Sequence, residues 1–278
     1  MKKIIDMDAI FDKYVSDYVY KNIGKTNPDE IEDNIPHLYE EFGNQKLEEL
    51  DGKTPNTYYS DYTDIELVEC LKEHLEKGVS VSDFLCEAIQ SNPLNEDALC
   101  KELLNDNGEE LTLYLMNLLD GLKSSKCVKR YLEFIIWDYS QPIKELATEL
   151  LCQHANLVKE EIIAQFNESS VEVKSYLTQI LSYTSNDDRV FNILINEFIK
   201  NQDNIPLYAG YLGKFGDERA LPFLLTAIEG EKINYFDFEE LRFAIESLGG
   251  TYDKQRDFSQ DKIYKKIKGE RSKKPSVN

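Results

Sequence analysis

The sequence predicts an all-α protein, a right-handed α-solenoid of stacked antiparallel helix pairs. Three observations carry that prediction. The 278-residue chain has 13 glycines and 8 prolines, so long stretches run without helix breakers. A helical apolar pattern (i, i+4, i+7 and usually i+8) recurs five times. Between its copies lie second amphipathic segments set off by turn residues, the arrangement that helix pairs require.

In chain order, residues 1–60 are expected to form an irregular helical N-terminal cap. Ile10, Tyr14 and Val15 place a helix within Met1–Tyr20, and Asn27-Pro28 and Ile35-Pro36 are expected to break the helical pattern after it. Residues 51–62 read as a Tyr-rich loop. Tyr58, Tyr59 and Tyr62 are either exposed interface anchors or a cover over the end of the stack.

Residues 61–108 read as atypical helical hairpins. Asp64–Lys77 is amphipathic and ends at Gly78, the left-handed residue that terminates many helices. Ser80 or Ser82 caps a helix through Ile89. Asn92-Pro93 breaks it, and Asn95 opens another through Leu104. Asn105-Asp106-Asn107-Gly108 is a turn.

Residues 109–250 hold the repeats. The first helices begin at Leu111, Ile143, Val173, Ile205 and Leu241, stepping by 32, 30, 32 and 36 residues. The second helices carry Val128-Leu132-Ile135-Ile136, Val158-Ile162-Ile163-Phe166, Val190-Ile193-Leu194-Phe198 and Leu221-Leu224-Leu225-Ile228. Asp187 and Asp217 stand where a side chain would cap the free amides of the next helix. Trp137 lies beside Ile135-Ile136 and reads as core.

The segment Leu212-Gly213-Lys214-Phe215-Gly216-Asp217-Glu218-Arg219-Ala220-Leu221 resembles the turn and second helix of HEAT-like repeats of the bacterial phycobilin-lyase type. Leu241–Gly249 is similar to a first helix of that family. The likeness is specific over 205–249 and extends over 111–204 through spacing and apolar pattern. It implies an ARM-type superhelix, a bacterial source and a surface that binds other macromolecules. It also implies roles. Ala209, Gly213 and Ala244 let neighbouring helices approach, Asp217 caps a helix, and Arg219 and Arg242 bond acidic groups of adjacent repeats.

Residues 251–278 read as a basic C-terminal helix and tail. Lys262–Lys268 is expected to be the last helix and 269–278 to be disordered. The tail's charge suits nucleic acid, packing against the acidic body, or solubility.

Charge is uneven. Residues 1–110 carry 27 acidic and 10 basic side chains, 111–250 carry 21 and 13, and 251–278 carry 4 and 9. An acidic body repels phosphate backbones, so a basic protein is the expected partner and nucleic acid is disfavoured. No run of about 18 apolar residues occurs, so no membrane span is expected. The start turns acidic too early for a signal peptide, and a cytoplasmic location is expected. The five cysteines are at least 14 residues apart and read as small core residues of a reducing compartment.

No metal site, cofactor or catalytic constellation is expected. His37, His74 and His154 lack a second histidine at helical zinc spacing. Asp237, Glu239 and Glu240, like Glu109 and Glu110, are carboxylate clusters that composition alone accounts for. HEAT-like DNA glycosylases and bilin lyases are enzymes of the broader class, but the net-acidic repeats and single tryptophan argue against glycosylase activity, and no cysteine or motif singles out bilin attachment. The leading expectation is a protein-binding scaffold for a cationic partner. An acidic immunity or inhibitor protein against a basic toxin or nuclease is the alternative. The speculative binding residues are Tyr58, Tyr59, Tyr62, Arg189, Asn192 and Asn196. The structural residues of the repeat are Asp217, Arg219 and Arg242.

Overall fold

The computed structural model describes residues 3–22 and 28–271. Among them all regular structure is helical, as the apolar periodicity predicts. The chain forms two compact units, Met1–Arg130 and Tyr131–Asn278.

The first unit begins with α1 (Met7–Asn22) and α2 (Pro28–Asn44), which pack together. Asn27 lies outside the described residues. Pro36 does not interrupt α2 but sits inside it. An internal proline costs a helix about 3 kcal/mol. Here its ring is exposed, where water can serve the carbonyl left without a donor, while Leu38 and Phe42 on the other face are fully buried. Each such side chain contributes about 1.5–3 kcal/mol, so burial outweighs the break.

Residues 51–62 are not a plain loop. Thr54 and Thr57 form a capping box on the short helix α3 (Pro55–Tyr58), with Pro55 in its first turn. Then come α4 (Asp64–Glu76), α5 (Asp83–Gln90), α6 (Asn95–Leu103) and α7 (Glu109–Gly121). Thr63 and Glu66 cap α4 reciprocally, and Gly78 takes φ +64° just beyond its end. α4 packs against α5, α6 and α7, and α6 against α7. Residues 1–60 share this unit. His74 of α4 is buried, with Nδ1 2.7 Å from the Cys70 carbonyl and Nε2 3.2 Å from the Ile5 carbonyl. Phe42 and Tyr39 of α2 meet the ring of Phe84 on α5.

The division between the units falls within α8 (Val128–Ile136). Trp137, just past its end, is 66% exposed rather than core. The apolar stripe of α8 already buries Leu132 and Ile135, and a residue two beyond Ile135 falls off that face.

The second unit holds α9 (Gln141–Gln153), α10 (Ala155–Gln165), α11 (Val171–Leu181), α12 (Asp188–Lys200), α13 (Ile205–Phe215), α14 (Leu221–Ile228), α15 (Tyr235–Ser247) and α16 (Lys262–Arg271). The stripes headed by Ile143, Val173, Ile205 and Leu241 fall on α9, α11, α13 and α15, and their apolar residues are buried. α9 touches α11, α11 touches α13, and α13 touches α15. α10 contacts α11, α12 contacts α13, and α14 contacts α15. Helix continues through residue 271, so the first three of the residues expected to be disordered are helical; 272–278 lie outside the described residues. Among the described residues no helix is long and apolar enough to cross a membrane.

Candidate binding surface

Two faces of the second unit present side chains in a regular arrangement. One runs along the start of α12 and the turn that leads into α14. Asp187 caps α12 by accepting from the Arg189 amide. Asp217 accepts from the Arg219 amide at 3.0 Å, capping a short 3-10 turn that leads into α14 rather than α14 itself. The same Asp-x-Arg pattern thus recurs in the turns before α12 and before α14.

Both arginines also reach back to an earlier helix, Arg189 to α10 and Arg219 to α12. Arg189 grips Glu160 through both terminal nitrogens, at 2.8 and 2.7 Å. Arg219 meets Asp188 at 2.8 Å and lies 4.3 Å from the Phe191 ring centroid. These guanidiniums hold the Asp187, Asp217 and Glu160 carboxyls below the usual carboxylate range, chiefly through side-chain hydrogen bonds. Arg189 is therefore engaged inside the chain. Arg242 is different from the expected inter-repeat residue. It bonds Glu239 and Glu246 of its own helix, because its position in mid-α15 points it along that helix's surface.

Asn192 and Asn196 are on α12, one turn apart on the face that also carries Arg189. Tyr58 and Tyr59 are buried, so they are not exposed anchors. The Tyr58 hydroxyl donates to the Lys3 carbonyl at 3.2 Å, and Tyr58, Tyr59 and half-buried Tyr62 pack on one another with centroids 5.0–6.0 Å apart. Burial raises the Tyr59 phenol above its ordinary range. Three aromatic rings so close in sequence bury one another more readily than they face water.

The second face is a cleft of about 560 Å³ that sequence reasoning missed. Leu207, Gly210, Tyr211 and Lys214 of α13 form its floor, between Tyr183 after α11 and Phe236 of α15. Tyr183, Leu207 and Phe236 are 44%, 40% and 48% exposed. Lys214 Nζ stands 4.5 Å from the Tyr183 ring centroid, and Glu240 adds a carboxylate to the lining. A Cβ at Gly210 would meet nothing within 4 Å. The sequence holds a signal for it: 207, 210, 211 and 214 share helical spacing on a different side of α13 from the core stripe Ile205-Ala209-Leu212. The core stripe alone accounts for the helix, so the second stripe adds nothing to a reading of the fold.

Within the Asp237, Glu239 and Glu240 cluster, Asp237 and Glu239 have structural partners. Asn234 and Asp237 bond reciprocally at the start of α15, and burial raises the Asp237 carboxyl. Among the described residues no three His, Cys, Asp or Glu side chains converge as metal ligands do. Cys70 and Cys127 are buried and Cys86, Cys100 and Cys152 are half-buried. Cys100 and Cys127, 27 residues apart, come together in the fold. Comparison with protein-family models, curated proteins and solved structures found no match to this chain.

Proposed function

We propose that the chain is a non-catalytic protein-binding scaffold, built on HEAT-like helix pairs stacked as a right-handed solenoid, that receives a cationic protein partner. The contact of each first helix with the next, α9 to α11 to α13 to α15, supports the stacked reading. So does the register of the ion pairs. Lys144–Glu172, Lys159–Asp187, Arg189–Glu160 and Arg219–Asp188 link residues 28 to 31 apart, the length of one helix pair.

The exposed apolar cleft carries the binding reading. Tyr183, Leu207 and Phe236 leave contiguous apolar surface in water, and a well-packed aromatic or aliphatic anchor from a partner would bury it. The net charge of −20 speeds the encounter with a basic protein and makes it salt-dependent.

The test is affinity capture of partners from the source cells with the full chain, repeated with Gly210→Trp and with Asn192→Ala/Asn196→Ala. Gly210→Trp fills the cleft without disturbing the core, and capture is expected to fall at least about ten-fold, the equivalent of a single hot spot. Capture unaffected by Gly210→Trp but abolished by the α12 variant moves the interface to the other face. Capture unaffected by either sinks the surface proposal.

The concentration of acidic charge in residues 1–110 favours one second reading, an acidic immunity or inhibitor protein for a basic toxin or nuclease. Co-expression with the basic proteins captured decides it. Protection from their toxicity supports inhibition, and binding without protection leaves the scaffold.

A further inference from the structure

The fold brings two cysteines into register. On α6, Glu96 and Asp97, Cys100 and Leu103 succeed one another at helical spacing, and Lys126 and Cys127 in the turn before α8 and Arg130 in its first turn answer them in order. Lys126 Nζ is 2.5 Å from Glu96 and 2.6 Å from Asp97, and Arg130 Nε donates to the Leu103 carbonyl at 3.3 Å. Between these two polar ties the Cys100 and Cys127 sulfurs are 2.6 Å apart. The two thiols are therefore in direct contact, within reach of a disulfide, whose bond is about 2.05 Å.

We propose that Cys100 and Cys127 are a modification site: a dithiol that a peroxide oxidises to a disulfide, stapling α6 to the turn before α8 across the segment that contains α7. Cys100 is the half-buried member and meets the oxidant, while Cys127 is 6% exposed and waits behind it. The hydrogen bond from Cys127 holds the Cys100 thiol below its ordinary range, and the same bond with burial raises Cys127. The greater exposure of Cys100, with this direction of shift, makes it the nucleophile.

The chemistry balances. The Cys100 thiolate attacks one peroxide oxygen and the O–O bond breaks, releasing hydroxide and leaving a sulfenic acid. The Cys127 sulfur then attacks the Cys100 sulfur, the S–O bond breaks, and a second hydroxide leaves. The two thiol protons convert these to water. Two electrons pass from the sulfurs to hydrogen peroxide, and a dithiol reductant reverses the bond.

Oxidant attack is read on the full chain with one equivalent of hydrogen peroxide, by thiol counting and peptide mass spectrometry under denaturing conditions. The five thiols are expected to fall by two, with a Cys100–Cys127 cross-linked peptide in excess of every other pair. Added dithiothreitol restores the count. In Cys127→Ser the product shifts to a sulfenic acid on Cys100 that dimedone traps. In Cys100→Ser peroxide consumption slows while Cys127 stays reduced. Dimedone adducts on Cys100 in the unsubstituted chain without the cross-link overturn the proposal. Cross-links spread over Cys70, Cys86 and Cys152, or no thiol loss at all, also overturn it. The unsubstituted chain decides the matter even where a serine variant folds poorly.

Discussion

Asp217 does two jobs with one carboxylate. It accepts the Arg219 amide, and it anchors the guanidinium that spans to Asp188 and covers the Phe191 ring. Removing it strands the amide and frees Arg219 from its orientation. Asp217→Ala is expected to lower stability by about 1 kcal/mol, the usual worth of a cap, read from the urea midpoint. Arg242→Ala is expected to change it by less than about 0.5 kcal/mol, because its pairs lie within one helix face. Gly213 tests packing at the same scale. Its hypothetical Cβ lies 3.4 Å from the Ala244 Cα, so a methyl just fits and a larger group does not. Gly213→Ala is expected to be near neutral, since the gain in helix propensity of about 1 kcal/mol offsets tighter contact. Gly213→Leu is expected to cost about 1–3 kcal/mol by forcing α13 from α15, seen as a drop in thermal midpoint.

At the level of helices, neighbouring helices are tied by charge and brought into contact by apolar stripes. The stripes supply the energy. Exposed pairs such as Arg189–Glu160 are screened by water and add little, while each buried Leu or Ile contributes about 1.5–3 kcal/mol. The charged turns do make folding sensitive to acid. Arg189 and Arg219 hold Asp187 and Asp217 below the normal aspartate value of about 3.9. Carboxyls with depressed folded values contribute stability that is fully present above the unfolded value and lost as pH falls through the folded one. Unfolding free energy measured by urea is therefore expected to be flat near neutrality and to decline below about pH 4. The Asp187→Asn/Asp217→Asn double variant starts lower and declines less over that window. An equal decline would show that other carboxylates govern acid unfolding.

For the whole chain, the net charge of −20 sets two opposing salt effects. Salt screens the repulsion among excess carboxylates, and it weakens the surface ion pairs. Repulsion sums over the whole excess of acids, whereas each exposed pair is worth little. Raising salt from about 0.01 to 0.15 M shortens the Debye length from about 30 to 8 Å. The thermal midpoint is expected to rise over that range, and a fall would mean that the ion pairs dominate. Partner capture is expected to move the opposite way, weakening with salt as long-range steering is screened.

Helix content and the positions of the core helices are legible in the sequence because they rest on local periodicity. Leu111, Ile143, Val173, Ile205 and Leu241 each head a stripe that one amphipathic helix must bury, whatever it packs against. The Asp-x-Arg turns are legible for the same reason, since a cap acts within three residues. Features that the stripes do not reveal depend on contacts between residues distant in sequence. The tyrosines of 58–62 read as exposed anchors or as a cover, and the structure buries Tyr58, whose hydroxyl donates to the Lys3 carbonyl. Pro36 reads as a break, and the burial of Leu38 and Phe42 outweighs it. The cleft forms where α11, α13 and α15 leave Leu207, Tyr183 and Phe236 around an open Gly210. Cys100 and Cys127 meet because α6, α7 and the turn before α8 fold back within one unit. Sequence alone determined that the chain is helical, where its core helices lie and that it is strongly acidic, because propensity, periodicity and charge are local or additive. Tertiary structure alone decided which faces remain open and which thiols are partners, because both depend on how helices distant in sequence pack together.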